Sequence, residues 1–283
     1  MNDLSADRIE RELRRLGSRV GAPLSVVEST GSTNDDARMA ASLGAPDGAA
    51  FFADTQHGGR GRGKHTWHSP PGENIYLSVV LRPSVDAGRI SSATLAVGAG
   101  VAALLENRFG AVVQVGIKWP NDVLAAPKSP ADGATPSPGP ERLTRKVAGI
   151  LVEAQLRGAG VASLVVGVGL NVRARTFPSE FAHRATSLAL LGCDALDRSV
   201  LGAQLCDSIA TSIARFEADG LKGFLPSLTR LDALRGAHVS VASIQGIAAG
   251  IDAGGALLVR QDTGSITRVT SGEVVVSDSR VPR

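Results

Sequence analysis

Apolar residues recur at two spacings along this chain, and the switches between the two delimit most of its elements. Ile9, Leu13 and Leu16 lie on one stripe among charged residues, which predicts an amphipathic helix over residues 5–19. A short strand is expected around Val26, and a second helix over 33–43. Ser32 or Thr33 can cap that helix, and Asp35 and Asp36 sit where the positive end of its dipole favours acids. Residues 49–54 and 75–82 read as strands on either side of a glycine-rich stretch. Residues 88–109, rich in Ala and Leu with glycine punctuation, predict a long buried helix. Strands are expected at 113–119, 146–156 and 163–172. Helices follow at 198–217 and 221–233, the first carrying Leu201, Leu205, Ile209 and Ile213 at four-residue spacing.

Beyond Gly236 the pattern changes to short apolar runs at regular intervals, around Val239, Ile247, Leu257, Val269 and Val274. Asp252-Ala253-Gly254-Gly255 and Asp262-Thr263-Gly264 supply turns between them. A small unit of about five strands is therefore expected over residues 235–283, after a larger domain over 1–234. Between two of the predicted strands, residues 125–144 hold Pro127, Pro130, Pro136, Pro138 and Pro140 among Ala, Ser and Gly. With little to bury, that stretch is expected to be a disordered insertion, neither strand nor helix.

Composition narrows the class only slightly. The 283 residues can bury a substantial core, and the formal charge of +3 is too small to argue for nucleic acid. No apolar h-region follows the first residues, and no charge-free run is long enough to span a bilayer. Cys193 and Cys206 have no metal-ligand spacing around them and read as reduced thiols, so a soluble cytoplasmic protein is expected. The cations are mostly arginine. The five lysines are Lys64, Lys118, Lys128, Lys146 and Lys222, so Lys118 and Lys146 mark positions where a compact ammonium is wanted.

The chemistry concentrates in a few segments. Residues 58–69 read Gly-Gly-Arg-Gly-Arg-Gly-Lys-His-Thr-Trp-His-Ser. Alternating glycines and arginines let backbone N–H groups and guanidinium forks converge on one anion, although a basic surface turn has the same composition. Downstream lie Lys118-Trp119-Pro120-Asn121-Asp122, then Lys146-Val147-Ala148-Gly149-Ile150-Leu151-Val152-Glu153, then Gly167-Val168-Gly169-Leu170-Asn171. Upstream, Ser32, Thr33 and Asn34, with Gln56, offer short hydroxyl and amide groups.

This ordered series resembles a biotin–protein ligase of the short type, over about residues 25–276. The resemblance implies an α+β fold: a mixed sheet flanked by helices, of the class II synthetase-like biotin and lipoate ligase type, with a small SH3-like barrel at the C-terminus. It implies two steps. Biotin carboxylate attacks the α-phosphorus of ATP to give biotinyl-5'-AMP and pyrophosphate, and a lysine of a biotin carboxyl carrier protein then attacks the mixed anhydride.

By the same resemblance Lys146, Arg60, Arg62 and Asp122 are the expected catalytic residues. Biotin is expected against Ser32, Thr33, Asn34, Gln56, Gly59, Arg60, Gly61, Arg62, Lys146 and Gly149. ATP and the adenylate are expected against Arg62, Trp67, Lys118, Asn121, Lys146 and Asn171. Mg²⁺ would arrive with ATP, with Asn121 as its ligand directly or through water. Trp67 reads equally as an adenine stack or as an anchor of the loop. The family pattern Gly-Arg-Gly-Arg-x-Gly-Arg-x-Trp is altered here to Gly-Arg-Gly-Arg-Gly-Lys-His-Thr-Trp, which leaves Lys64 and His65 without an assigned role. The link after Lys-Trp-Pro-Asn-Asp is also longer than the family's tight hairpin. A lipoate–protein ligase shares the scaffold and is the alternative. About 24 residues precede the core, too few for a winged helix, so no DNA partner is expected. Nor is a membrane partner, and the protein is expected as a monomer or homodimer.

Overall fold

The computed structural model describes residues 3–63, 65–128, 143–158, 160–194 and 196–277. Two sheets organise them. The larger has seven strands in the order β1-β2-β3-β7-β6-β5-β4: β1 (Leu24–Thr30), β2 (Ala50–Gln56), β3 (Ile75–Leu81), β4 (Val113–Lys118), β5 (Asp122–Pro127), β6 (Lys146–Arg157) and β7 (Gly160–Leu170). Only β1 and β2 run parallel; every other neighbouring pair in this sheet is antiparallel.

All seven residues of β3 are buried because both faces of the sheet are covered. Leu77, Val79 and Leu81 join the main core with helices α1 (Ala6–Leu16), α3 (Ile90–Phe109) and α4 (Arg198–Asp219). Val80 faces the other way and packs with Ala37 and Ala41 of α2 (Thr33–Ser42). α3 is long and apolar enough to cross a membrane by length and composition, but it lies against α4, β4 and β6 within the core. The predicted C-terminal helix is a 3₁₀ turn, Gly220–Phe224, followed by the short α5 (Leu225–Leu231).

The second sheet is antiparallel, β11-β10-β9-β8-β12, built from β8 (His238–Val241), β9 (Ile244–Ile251), β10 (Leu257–Arg260), β11 (Ile266–Val269) and β12 (Val274–Val276). It docks on the first through Trp119, whose indole N–H donates to the Gly255 carbonyl at 2.9 Å.

Residues 125–144 depart from expectation. Ala125, Ala126 and Pro127 belong to β5 and pair with Val115, Gln114 and Val113 of β4. Pro127 is tolerated there because, among the described residues, β6 pairs with β5 only as far as Leu124 and none needs its missing N–H on that side. Leu143 is buried with Leu124 and Ala233. The rest of the expected insertion, 129–142, lies outside the described residues, as does Lys64.

Candidate active site

A cleft opens on the α2 side of the large sheet. Its bed is the outward face of β6 and β7, where side chains alternate. Ile150, Val166 and Val168 point into the core, so Gly149, Leu151 and Glu153 of β6 alternate to the opposite face. Gly149 pairs with Gly169 and Leu151 with Gly167.

The glycines of β7 admit close approach. A Cβ on Gly167 would lie 1.9 Å from Asn34 Oδ1, and one on Gly169 would lie 2.3 Å from Trp67 Cε2. What these positions accept directly is thus two of the protein's own side chains, one from the start of α2 and one from the Gly-Arg loop. Gly149 lies under both Trp67 and Lys146.

The Gly-Arg loop folds as a small hairpin. Trp67 N–H donates to Gly59 O at 2.8 Å, Gly61 N–H donates to His65 O at 2.7 Å, and Arg60 bridges to Thr66. The turn sends Arg60 inward, where its guanidinium donates to Glu153 and lies 3.2 Å from Asp35. Arg62 goes elsewhere. It donates at 2.7 Å to the carbonyl of Gly272, before β12, and His65 lies 3.4 Å from Glu273. The expectation that Arg62 lines the same pocket as Arg60 is not met, because the Gly272 carbonyl holds Arg62 toward the second sheet while Glu153 and Asp35 hold Arg60 in the cleft.

Lys146 starts β6. Its ammonium lies 2.6 Å from Asp122 Oδ1 and 5.0 Å from the centre of the Trp67 ring. Asp122 reaches it from the first residue of β5, which pairs with Gly149. Asn121, in the turn between β4 and β5, lines the cleft and donates from Nδ2 to Ile150 O at 3.1 Å. Trp67 anchors the loop, its backbone closing the hairpin and its ring packing on Gly149 and Gly169 at the cleft.

The floor is a chain of hydrogen bonds. Asn34 Nδ2 donates to Glu153 at 2.8 Å, and Ser78 Oγ lies 2.6 Å from Asn34 Oδ1 and 2.8 Å from Thr33 Oγ1. Thr33 N–H donates to Gln56 Oε1 at 2.9 Å, and Gln56 Nε2 donates to Ser69 Oγ at 2.9 Å. Ser32 stands at the N-cap of α2, yet its hydroxyl makes no capping bond and the residue lines the cleft. Helix capping is therefore not what occupies it.

Lys118 and Asn171 are not brought to the cleft wall. Asn171 is buried and donates to Thr186 O at 2.9 Å, fixing the segment whose Thr186 N–H bonds Lys146 O. It is tied to the start of β6 as well through its own N–H, which donates to Val147 O at 2.8 Å. Glu153 and Ser78 were missed as site residues. Glu153 stands four positions after Gly149 in a strand, hence on the same face, and Ser78 is a lone hydroxyl in an otherwise apolar run. Both signals are present in the sequence. Among the described residues no group of three or more His, Cys, Asp or Glu is arranged to hold a metal. Cys206 is fully buried and burial pushes its thiol well above the usual range; burial raises Cys193 to about 11. Neither is a nucleophile at neutral pH.

Residues 26–171 match the Biotin/lipoate A/B protein ligase family, and residues 241–277 match the Biotin protein ligase C terminal domain. The chain is 34% identical over 170 residues to the bifunctional ligase/repressor BirA of Bacillus spizizenii, an alignment covering 59% of this chain and 46% of that relative. It thus spans about half the length of that relative. It is 35% identical over 216 residues to the biotin--[acetyl-CoA-carboxylase] ligase of Mycobacterium tuberculosis, covering 73% of this chain and 71% of the relative. Among solved structures it is similar to the biotin protein ligase of Aquifex aeolicus in complex with biotin and ATP. The TM-score is 0.69 at 25% identity, over 89% of this chain and 97% of that one.

Proposed function

The chain belongs to the biotin/lipoate A/B protein ligase family, and from that premise we propose that it is an ATP-dependent biotin ligase. In this reading it converts biotin to biotinyl-5'-AMP and transfers the biotinyl group to a lysine of a biotin carboxyl carrier protein. One observation carries it: the Lys146 ammonium stands where the polar floor meets the indole of Trp67, 5.0 Å from that ring. An acid on the floor and a nucleotide base against Trp67 would meet at that ammonium.

Adenylation forms a bond between a carboxylate oxygen and the α-phosphorus, and breaks the bond to pyrophosphate. Negative charge gathers on the phosphoryl oxygens, so the cations Lys146 and Arg60 lower the barrier by charge stabilisation and alignment. In the second step a neutral amine attacks the carbonyl carbon and AMP leaves. Asp122, 2.6 Å from Lys146, is the carboxylate at hand to orient that amine and take its proton. Mg²⁺ would enter with the triphosphate. Asn121 suits it, since Nδ2 is committed to Ile150 O and leaves the amide oxygen for a hydrated hard cation.

The floor favours biotin over lipoate. A ureido ring can pair with the donor and acceptor positions that the floor's own hydrogen bonds leave open, among them the Ser32 hydroxyl, which makes no capping bond. A dithiolane offers them no partner, at about 1–3 kcal/mol for each group left so. ATP use fits a cytoplasmic enzyme. The reading includes no DNA-binding role, and a specific footprint on promoter DNA would overturn that part of it. The main test is ATP–pyrophosphate exchange with purified protein: exchange that requires biotin and ignores lipoate supports the assignment. Exchange driven by lipoate alone would replace it.

A further inference from the structure

The floor holds a directional device. Glu153 Oε2 receives both Asn34 Nδ2, at 2.8 Å, and the Arg60 guanidinium. An ionised carboxylate only accepts hydrogen bonds, so it fixes the Asn34 amide with its NH₂ toward β6 and its oxygen toward Ser78. Ser78 is fully buried and has one hydroxyl proton. The 2.6 Å contact to Asn34 Oδ1 takes that proton. The 2.8 Å contact between Ser78 and Thr33 then has Thr33 Oγ1 as donor, and Gln56 Oε1, 3.2 Å away, can only compete for that same proton. In either case Thr33 has spent its donor, and what its oxygen offers the cleft is a lone pair.

We propose that Glu153, without touching the ligand, sets the hydrogen-bond polarity of Thr33 through Asn34 and Ser78. The cleft is thereby selective for a ring that presents an N–H at that point. Glu153 is thus a positioning residue for specificity, and this inference rests on the biotin reading of the site. With Glu153 replaced by Ala, the Asn34 amide is free to turn over, Ser78 can send its proton to Thr33, and the Thr33 proton is released from Ser78 to be shared between Gln56 Oε1 and a ligand in the cleft. Gln at 153 retains an acceptor oxygen for both Asn34 and Arg60, and the polarity survives.

The test compares biotin with its two cyclic carbamate analogues, in which a ring oxygen replaces one or other ureido N–H. Their dissociation constants are measured by calorimetry on the full chain for wild type, Glu153→Ala, Glu153→Gln and Ser78→Ala. Wild type should prefer biotin over one of the two carbamates. That preference should fall about tenfold in Glu153→Ala and in Ser78→Ala, the value of one hydrogen bond of ordinary strength, and persist in Glu153→Gln. A merely structural role would weaken all ligands alike, and an unchanged preference in both Ala variants overturns the inference. If wild type binds no biotin, the reading of the site falls first and this inference goes with it.

Discussion

Two glycines two positions apart on β7 offer a paired experiment, since an added methyl at each meets a different occupant of the cleft. In Gly167→Ala the new Cβ would lie 1.9 Å from Asn34 Oδ1, and relief to ordinary contact moves the amide about 1.5 Å. Asn34 bonds Glu153 at 2.8 Å and Ser78 at 2.6 Å, and neither bond survives such a shift. One charge-assisted and one neutral bond amount to about 2–4 kcal/mol. In the proposed reading biotin binds on that floor, so its Kd should rise roughly 30- to 800-fold. In Gly169→Ala the methyl would meet Trp67 Cε2 at 2.3 Å, displacing the indole instead. If adenine stacks there, about 1–3 kcal/mol of stacking is lost, and KM for ATP should rise roughly 5- to 150-fold with biotin affinity much less affected. Both substitutions put the same methyl on the same strand, so each controls for the other's effect on stability. Calorimetry with biotin, ATP titration of pyrophosphate exchange and tryptophan emission separate the two outcomes. Loss of biotin and ATP affinity in equal measure by both variants would refute the division of the cleft.

Three further outcomes follow from the same geometry. Lys146→Met should slow adenylation about 10²- to 10³-fold while changing biotin Kd far less, because its charge acts on the transition state; rapid-quench adenylation set against equilibrium binding checks this. Arg62→Ala removes the bond that ties the Trp67-bearing hairpin to Gly272 O, and with that wall of the cleft loosened free biotinyl-5'-AMP in solution should increase several-fold, read by scavenging with a non-cognate amine. Burial alone would raise the Asp3 carboxyl, but the backbone N–H and guanidinium of Arg198, with Arg173, bring it below its usual value. The unfolded chain then protonates first on acidification, so this stabilisation is intact above about pH 4 and lost as pH falls through the lower folded value. Urea titrations from pH 6 downward should show that loss in wild type and a flatter profile in Asp3→Asn.

The long elements were legible because each has one dominant period. Strand β5 was not. Val123, Leu124 and Ala125 are too few to register as a run, and Ala126 and Pro127 have poor strand propensity. Their register comes from six paired positions with β4, a tertiary fact. In the site, Thr33, Asn34, Gln56, Arg60 and Lys146 were readable from residue type and order. Arg62 and Asn171 were not, because their directions are decided by distant partners, Gly272 and the Thr186 carbonyl.

The glycines show where reading by residue type reaches its limit. In sequence, Gly149, Gly167 and Gly169 suggest a backbone left bare for a ligand. In the fold Asn34 lies on Gly167 and Trp67 on Gly169 and Gly149, each brought from a different segment. The opposite face of β6 and β7 is a continuous apolar layer of Ala148, Ile150, Val166, Val168 and Leu170, packed into the core. One face of these strands fixes the backbone, and on the other the missing side chains leave room that helix α2 and the Gly-Arg loop fill. The residues assigned to biotin and to ATP are therefore held by one rigid bed. A change at one glycine is transmitted first to a side chain of the protein and only through it to the substrate.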